Sequence, residues 1–288
     1  MNRACTLMSL LVILVGHVTA QQNAKPQVFA PGVISGKDVF GITFTPDGRT
    51  VFFCETDPDV KHIQIMESHR QSGSWSTPKA ATFSPGPYRD IDPSITPDGR
   101  HLIFESNRPG SGRAESRSDF DIYIMERQKN GWSEPRSLTE INSELNEVFA
   151  TAAADGSLIF GSDRPGGKGK LDIYMSRKTS KGYGPPTSLN ELNTDDSDGN
   201  PAVAPNGRFL IFSRANDLFV SRHNGEHWSQ PEKLPLVNTA DDTEYAPAFS
   251  PDGKTLFYTS TKFENGKRVK PGTVWSVPLS ALGLPNGK

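Results

Sequence analysis

Four carboxylates stand at one fixed count ahead of a repeated turn. Asp90, Glu147, Asp198 and Glu244 each precede by eight residues the central residue of a turn written TPDGR, AADGS, APNGR or SPDGK. In a further copy, TPDGR from Thr45, the same count lands on Val39, with Asp38 one residue further back. The match of DVFG from Asp38 to EVFA from Glu147 makes Asp38 the equivalent acid and implies an extra residue absorbed as a bulge before that turn. A second set follows each turn: Ser106 with Arg108, Ser162 with Arg164, Ser213 with Arg214, and Ser260 with Lys262. Such sets permit three kinds of chemistry. Acids and bases sharing a face can form ion pairs that hold the unit together. Carboxylates in differing surroundings can divide acid and base roles. Carboxylates without a base can hold a cation. The first copy invites the last reading, because Glu55-Thr56-Asp57 stands where its arginine is expected, with Asp59 and Asp38 close by, and oxygen donors of this kind suit Ca²⁺.

The elements that position these residues follow from the turn. A short apolar run leads into Pro-Asp-Gly, where glycine supplies a positive φ. A nearly unbroken run such as HLIFES or SLIFGS follows, as expected of strands buried on both faces. A third run (HIQIMES, DIYIMER, DIYMSRK, DLFVSRH, TVWSVPL) and an element such as GSWSTP or NGWSEP complete the unit. Trp75, Trp132, Tyr183 and Trp228 recur in that last element, a place that suits packing between third and fourth strands. The turn centres Asp47, Asp98, Asp155, Asn206 and Asp252 are spaced by 51, 57, 51 and 46 residues. Four strands per unit at that period predict an all-β, five-bladed propeller of four-stranded antiparallel blades. Pro26 precedes Asp47 by 21 residues, as Pro231 precedes Asp252. Residues 26–35 are therefore expected to join the last blade as its outer strand and to close the ring. In this arrangement the run entering each turn is innermost, so Asp38, Asp90, Glu147, Asp198 and Glu244 are expected at one channel mouth, with Arg108, Arg164 and Arg214 beside them.

The units DPSITPDGRHLIFESNRPG and FGSDRPGGKGKLDIYMS resemble the WD40-like (PD40) repeat of TolB-like propellers. The second also resembles propeller segments attached to OmpA-like peptidoglycan-binding domains. The resemblance runs over nearly the whole chain after the leader and implies the propeller fold. It implies little about function, since the same fold serves scaffolds, receptors and enzyme accessory domains. TolB has six blades and an additional N-terminal domain, whereas five units are counted here and no peptidase or peptidoglycan-binding motif follows them, so TolB's own partners do not carry over.

The start reads as a secretory leader: Arg3 is followed by the mostly apolar Leu7–Val18 and by Val18-Thr19-Ala20. Cleavage near Ala20 leaves residues 21–288 as one propeller domain without a transmembrane segment, placed in the periplasm or secreted, and monomeric. Its formal charge of −2, from 31 basic and 33 acidic residues, gives no footprint for nucleic acid. Cys54 is then the only cysteine, and its neighbours Phe52 and Phe53 suit a packed strand. The histidines show no metal spacing, and the oxygen-rich NTDDSDGN at Asn193 lacks a full calcium-loop pattern. No nucleophile elbow, phosphate loop or Cys–His pattern is present. Two functions remain. One is a non-catalytic binding or scaffold protein of the cell envelope, engaging a protein or glycan through the acid-lined channel face. The other is a glycosidase or lyase using channel carboxylates.

Overall fold

The computed structural model describes residues 24–57, 60–109, 118–265 and 267–287. The leader and Asp59 lie outside them. Five antiparallel sheets stand around a central channel. Their inner strands are Val39–Phe44, Asp90–Ile95, Glu147–Ala152, Asp198–Val203 and Thr243–Phe249, which begin blades 1 to 5. Each inner strand pairs with a second strand, and that with a third (Thr50–Thr56 and then Ile63–Gln71 in blade 1). Among the described residues the one helical element is the short Leu279–Leu282, and none is long and apolar enough to cross a membrane.

The repeated turn is built by its own side chains. Oδ1 of Asp47 accepts from Thr45 Oγ1 at 2.6 Å and from the Arg49 amide at 3.0 Å, and Asp98 does the same with Thr96 and Arg100. Asn206 accepts from the Arg208 amide at 3.0 Å, so an amide oxygen substitutes for the carboxylate in blade 4. The hydrogen bond from Thr45, ahead of that from Arg49, holds the Asp47 carboxyl below its ordinary range.

The core lies between blades rather than within them. Among the described residues, five apolar clusters each draw chiefly on two neighbouring blades. The second strands explain why. In blade 1, Phe52 and Cys54 pack toward blade 2, while Val51 and Phe53 pack toward blade 5. A strand sandwiched in this way must be apolar on both faces, which is what HLIFES-type runs provide.

The last blade takes its outer strand from the other end of the described chain. Gln27 and Val28 pair antiparallel with Ser276 and Trp275, and the Phe29 amide donates to Val274 O at 2.9 Å. Phe29 packs edge-on against Phe44, Trp75 and Phe257, bridging blades 5 and 1. The fourth strands of the other blades differ in detail from expectation. The aromatic elements first pair with the far end of the third strand, Trp75 with Arg70 and Trp132 with Arg127. After Ser-x-Pro the chain pairs with the third strand again, at Lys79–Ala80 and Arg136–Ser137. Proline, which has no N–H to donate, divides the outer strand in two.

Blade 1 carries no extra residue. Val39 pairs with Glu55 at the position where Asp90 pairs with Ser106 and Glu147 with Ser162. Instead, every inner strand has a bulge, between Phe40 and Thr43, Ile91 and Ser94, Val148 and Thr151, Gly199 and Ala202, and Tyr245 and Ala248. One residue in each bulge has positive φ: Gly41 (58°), Asp92 (48°), Phe149 (60°), Asn200 (50°) and Ala246 (47°).

Candidate functional site: the central channel

The carboxylates expected at the channel mouth stand at the start of the inner strands but are buried there. Asp90, Glu147, Asp198 and Glu244 are completely buried, and neither cavity along the channel is lined by them. Each is held by the set of residues found after its turn. Asp90 Oδ1 accepts from Ser106 Oγ and from Arg108 Nη2, both at 2.7 Å. Glu147 Oε1 accepts from Ser162 Oγ at 2.9 Å and Arg164 Nη2 at 2.8 Å, and Asp198 Oδ1 from Arg214 Nε at 2.6 Å. The same guanidiniums donate backward to the carbonyls of Phe83, Ile141 and Leu192, on the chain arriving from the preceding blade. Each lies over aromatic rings of its own blade, as Arg164 does over Phe160 and Tyr174. The recurring acid and base thus form a latch between consecutive blades. NTDDSDGN serves one of them, with the Thr194 amide and hydroxyl donating to Asp198 Oδ2.

Blade 5 varies the latch. Lys262 pairs with Glu264 instead, while Glu244 is held by Thr239 and Ser260, and burial raises its carboxyl above the ordinary value. Lys270 pairs with the neighbouring Asp242.

The base missing from blade 1 comes from blade 5. Arg268 Nη1 and the Gly272 amide both donate to Asp38 Oδ1 at 2.8 Å. Lys37 pairs with Glu55 at 2.7 Å, and Asp57 Oδ1 accepts from the Lys61 amide at 2.8 Å. Asp38 and Glu55 are thus each paired with a cation rather than left without a base, and Asp59, the fourth acid of the expected Ca²⁺ site, lies outside the described residues. Among the described residues no group of three His, Cys, Asp or Glu side chains could hold a metal.

The channel itself is lined at a different count, six residues before each turn centre, by Gly41, Asp92, Phe149, Asn200 and Ala246. In a regular strand, residues two apart share a face. The bulge and its left-handed residue break that rule, so position minus eight is buried while position minus six meets the channel. The cavity here is about 200 Å³, with Ile42, Ile95, Pro93, Pro201 and Pro247 among its apolar walls. A second cavity of about 260 Å³ lies at the start of the inner strands, lined by Tyr245, Phe263 and Arg268.

Asp92 is the only titratable residue among those lining the first cavity. It is 9% exposed, and its Oδ2 has no protein hydrogen-bond partner. Its amide donates to Cys54 Sγ of blade 1 at 3.2 Å. Gly41 leaves it room, since a Cβ at residue 41 would stand 2.5 Å from Asp92 Oδ1. Glu105, on the adjacent second strand, reaches into blade 3, where its Oε1 accepts from the Ala150 amide at 2.9 Å; its Oε2 is buried and unpartnered. Burial pushes the Asp92 carboxyl up to about 7. Burial, and then the charge of Asp92, pushes Glu105 up as well. Burial likewise raises the Cys54 thiol and the Tyr245 phenol, whose hydroxyl is also without a partner. Burial thus biases both acids toward their neutral forms. Among the described lining residues no second carboxyl faces Asp92 across the channel.

No protein-family model matches the chain. No curated protein sequence matches it either. Its fold is similar to solved structures. A TolB candidate from Agrobacterium tumefaciens is 15% identical, with 84% of this chain and 78% of that chain covered and a TM-score of 0.52. An alpha-L-arabinofuranosidase from Lactobacillus brevis is 15% identical over 87% of this chain and 92% of that one, with a TM-score of 0.54. A protein of unknown function from Dyadobacter fermentans is 12% identical over 88% and 98%, with a TM-score of 0.50. At such identities the likeness concerns the fold alone.

Proposed function

We propose that the chain is an exported, non-catalytic binding protein of the cell envelope that engages a protein or glycan partner at its channel. The observation that carries this reading is the state of the recurring carboxylates. Those of blades 2 to 5 are buried and that of blade 1 is partly buried, and those of blades 1 to 4 are matched by arginines, so they brace the ring and leave the channel as the shaped concavity. Glycoside cleavage takes two carboxyl groups flanking the scissile bond, roughly 5–10 Å apart. Asp92 and Glu105 instead lie on adjacent strands of one blade, and burial pushes each toward its neutral form. The glycosidase or lyase reading keeps one point in its favour. A carboxyl titrating near neutrality beside a cavity has the form of a general acid.

Both readings meet in one experiment. Purified protein is assayed for turnover of aryl glycosides and envelope polysaccharides, and for their retention in affinity electrophoresis, beside the channel-filling variant Ser94→Trp. Retention without turnover, lost in the variant, is expected. Turnover abolished by Asp92→Asn would replace the binding reading with the enzymatic one.

A further inference from the structure

We infer that the cavity lined by Asp92 and Asn200 receives the cationic side chain of a partner polypeptide, an arginine or lysine entering from the mouth formed by the Pro-Asp-Gly turns. The inference rests on the channel being the binding surface and adds the chemistry of what it takes. Three observations converge on it.

The first is the sign of the unmet hydrogen-bonding capacity. Asp92 Oδ2 and Asn200 Oδ1 belong to residues that line the cavity from blades 2 and 4, and Glu105, which does not line it, has its Oε2 unpartnered within electrostatic reach of Asp92. All three are buried without a protein partner, and once the two carboxyls ionise all three are acceptors only. Nature rarely leaves buried polar atoms in this state, and a group that supplies donors recovers their desolvation cost. Guanidinium offers five N–H donors and ammonium three, with no acceptor to be left unmatched.

The second is charge. No lysine or arginine lines this cavity, and Arg268, at the opposite mouth, is already held by Asp38. The groups facing Asp92 are Glu105 on its own blade, Cys54 from blade 1 and, nearby, the Tyr245 phenol from blade 5. Each of these becomes anionic or stays neutral, and none is cationic. Asp90, two residues away, is neutralised by Arg108. A neutral polyol could meet the acceptors and still leave the carboxyl pair protonated, whereas a cation stabilises the ionised form.

The third is shape. About 200 Å³ between proline, alanine and isoleucine walls matches one long side chain whose apolar stem lies along the wall with its charged end inward. Pro46, Pro97, Pro205 and Pro251 frame the mouth, which keeps it rigid and open to an extended segment.

The test is a calorimetric titration of the whole chain with Nα-acetyl-arginine amide and Nα-acetyl-lysine amide, beside the uncharged isostere Nα-acetyl-citrulline amide, at pH 5.5 and pH 8. The cationic probes should bind and citrulline should not, and binding should strengthen by roughly tenfold or more between the two pH values as the carboxyl pair ionises. Asp92→Asn, which keeps the shape and copies the residue at the equivalent place in blade 4, should weaken arginine binding by roughly 10- to 100-fold. Equal binding of citrulline, unchanged binding to Asp92→Asn, or a response to K⁺ or Ca²⁺ with none to arginine would each overturn the inference. Its failure is separable from failure of the channel reading. If Ser94→Trp abolishes glycan retention while the cationic probes are ignored, the channel is the site and its ligand is not a cation.

Discussion

Replacing Asp92 with asparagine should stabilise the protein at alkaline pH and do little at acid pH. The side chain keeps its size, and asparagine tolerates the 48° φ that residue 92 adopts, as Asn200 does at 50° in blade 4. The substitution therefore tests the charge alone. Burial raises the carboxyl from 3.8 to about 7, so between these values the folded protein binds a proton that the unfolded chain has released. Stability must fall as pH rises through that window, because the folded state holds the larger number of protons. Below it both states are protonated and the penalty vanishes; above it the penalty is complete. A shift of about 3 units at about 1.4 kcal/mol each corresponds to roughly 4 kcal/mol. At about 2–4 °C per kcal/mol for a domain approaching this size, the variant should melt on the order of 10 °C above the wild type at pH 8. Near pH 4 the two melting points should nearly coincide. Differential scanning calorimetry across pH 4 to 8 is the assay. A difference in melting temperature that stays constant over that range would refute the reasoning, since a packing effect does not titrate.

Other consequences follow from the latches, the outer strand and the cysteine. Arg164→Ala leaves Glu147 buried without its cation and should cost about 3–5 kcal/mol in urea unfolding, much of it recovered in Glu147→Gln/Arg164→Met; an intact midpoint in the single variant would show the latch to be ornamental. Deleting residues 21–36 exposes the third strand of blade 5 and removes Phe29 from between blades 5 and 1, so size-exclusion chromatography should show aggregation or the melting point should drop sharply. A truncated protein that stays monomeric and melts as before would mean that the N-terminal strand does not hold the ring shut. Cys54, fully buried and with its thiol pushed up by burial, should react with Ellman's reagent only as fast as the protein unfolds. Rapid labelling of the folded protein would contradict its position.

The ring was legible because its signal is local. Asp47, Asp98, Asp155, Asn206 and Asp252 make their turns from hydrogen bonds within a few residues, and apolar runs on both sides of the turn declare strands covered on two faces. The latches were half legible. Asp90, Glu147 and Asp198 lie 16 to 18 residues before their arginines, but the partner of Asp38 is Arg268, 230 residues away, and only the closed ring brings them together. The channel lining was not legible. Gly41, Asp92, Phe149, Asn200 and Ala246 share a backbone conformation and no side-chain chemistry, and the bulge that turns them inward leaves no mark that alternation can detect. Glycine and asparagine at two of these five positions hint at a left-handed residue; phenylalanine and alanine conceal it. Asp92 and Glu105 were hidden for the same reason, since neither recurs from blade to blade.

The most direct test of the binding reading places a photo-crosslinking amino acid at two sites. Thr151 lies on the channel wall, and Thr187 is exposed on the outer strand of blade 3. The purified variants are irradiated in envelope extract of the source organism, with Thr151 also tested in the Ser94→Trp background. The account predicts a discrete adduct from Thr151, none from Thr187, and loss of the adduct when the channel is filled. An adduct from Thr187 alone, or one from Thr151 that survives Ser94→Trp, would contradict it.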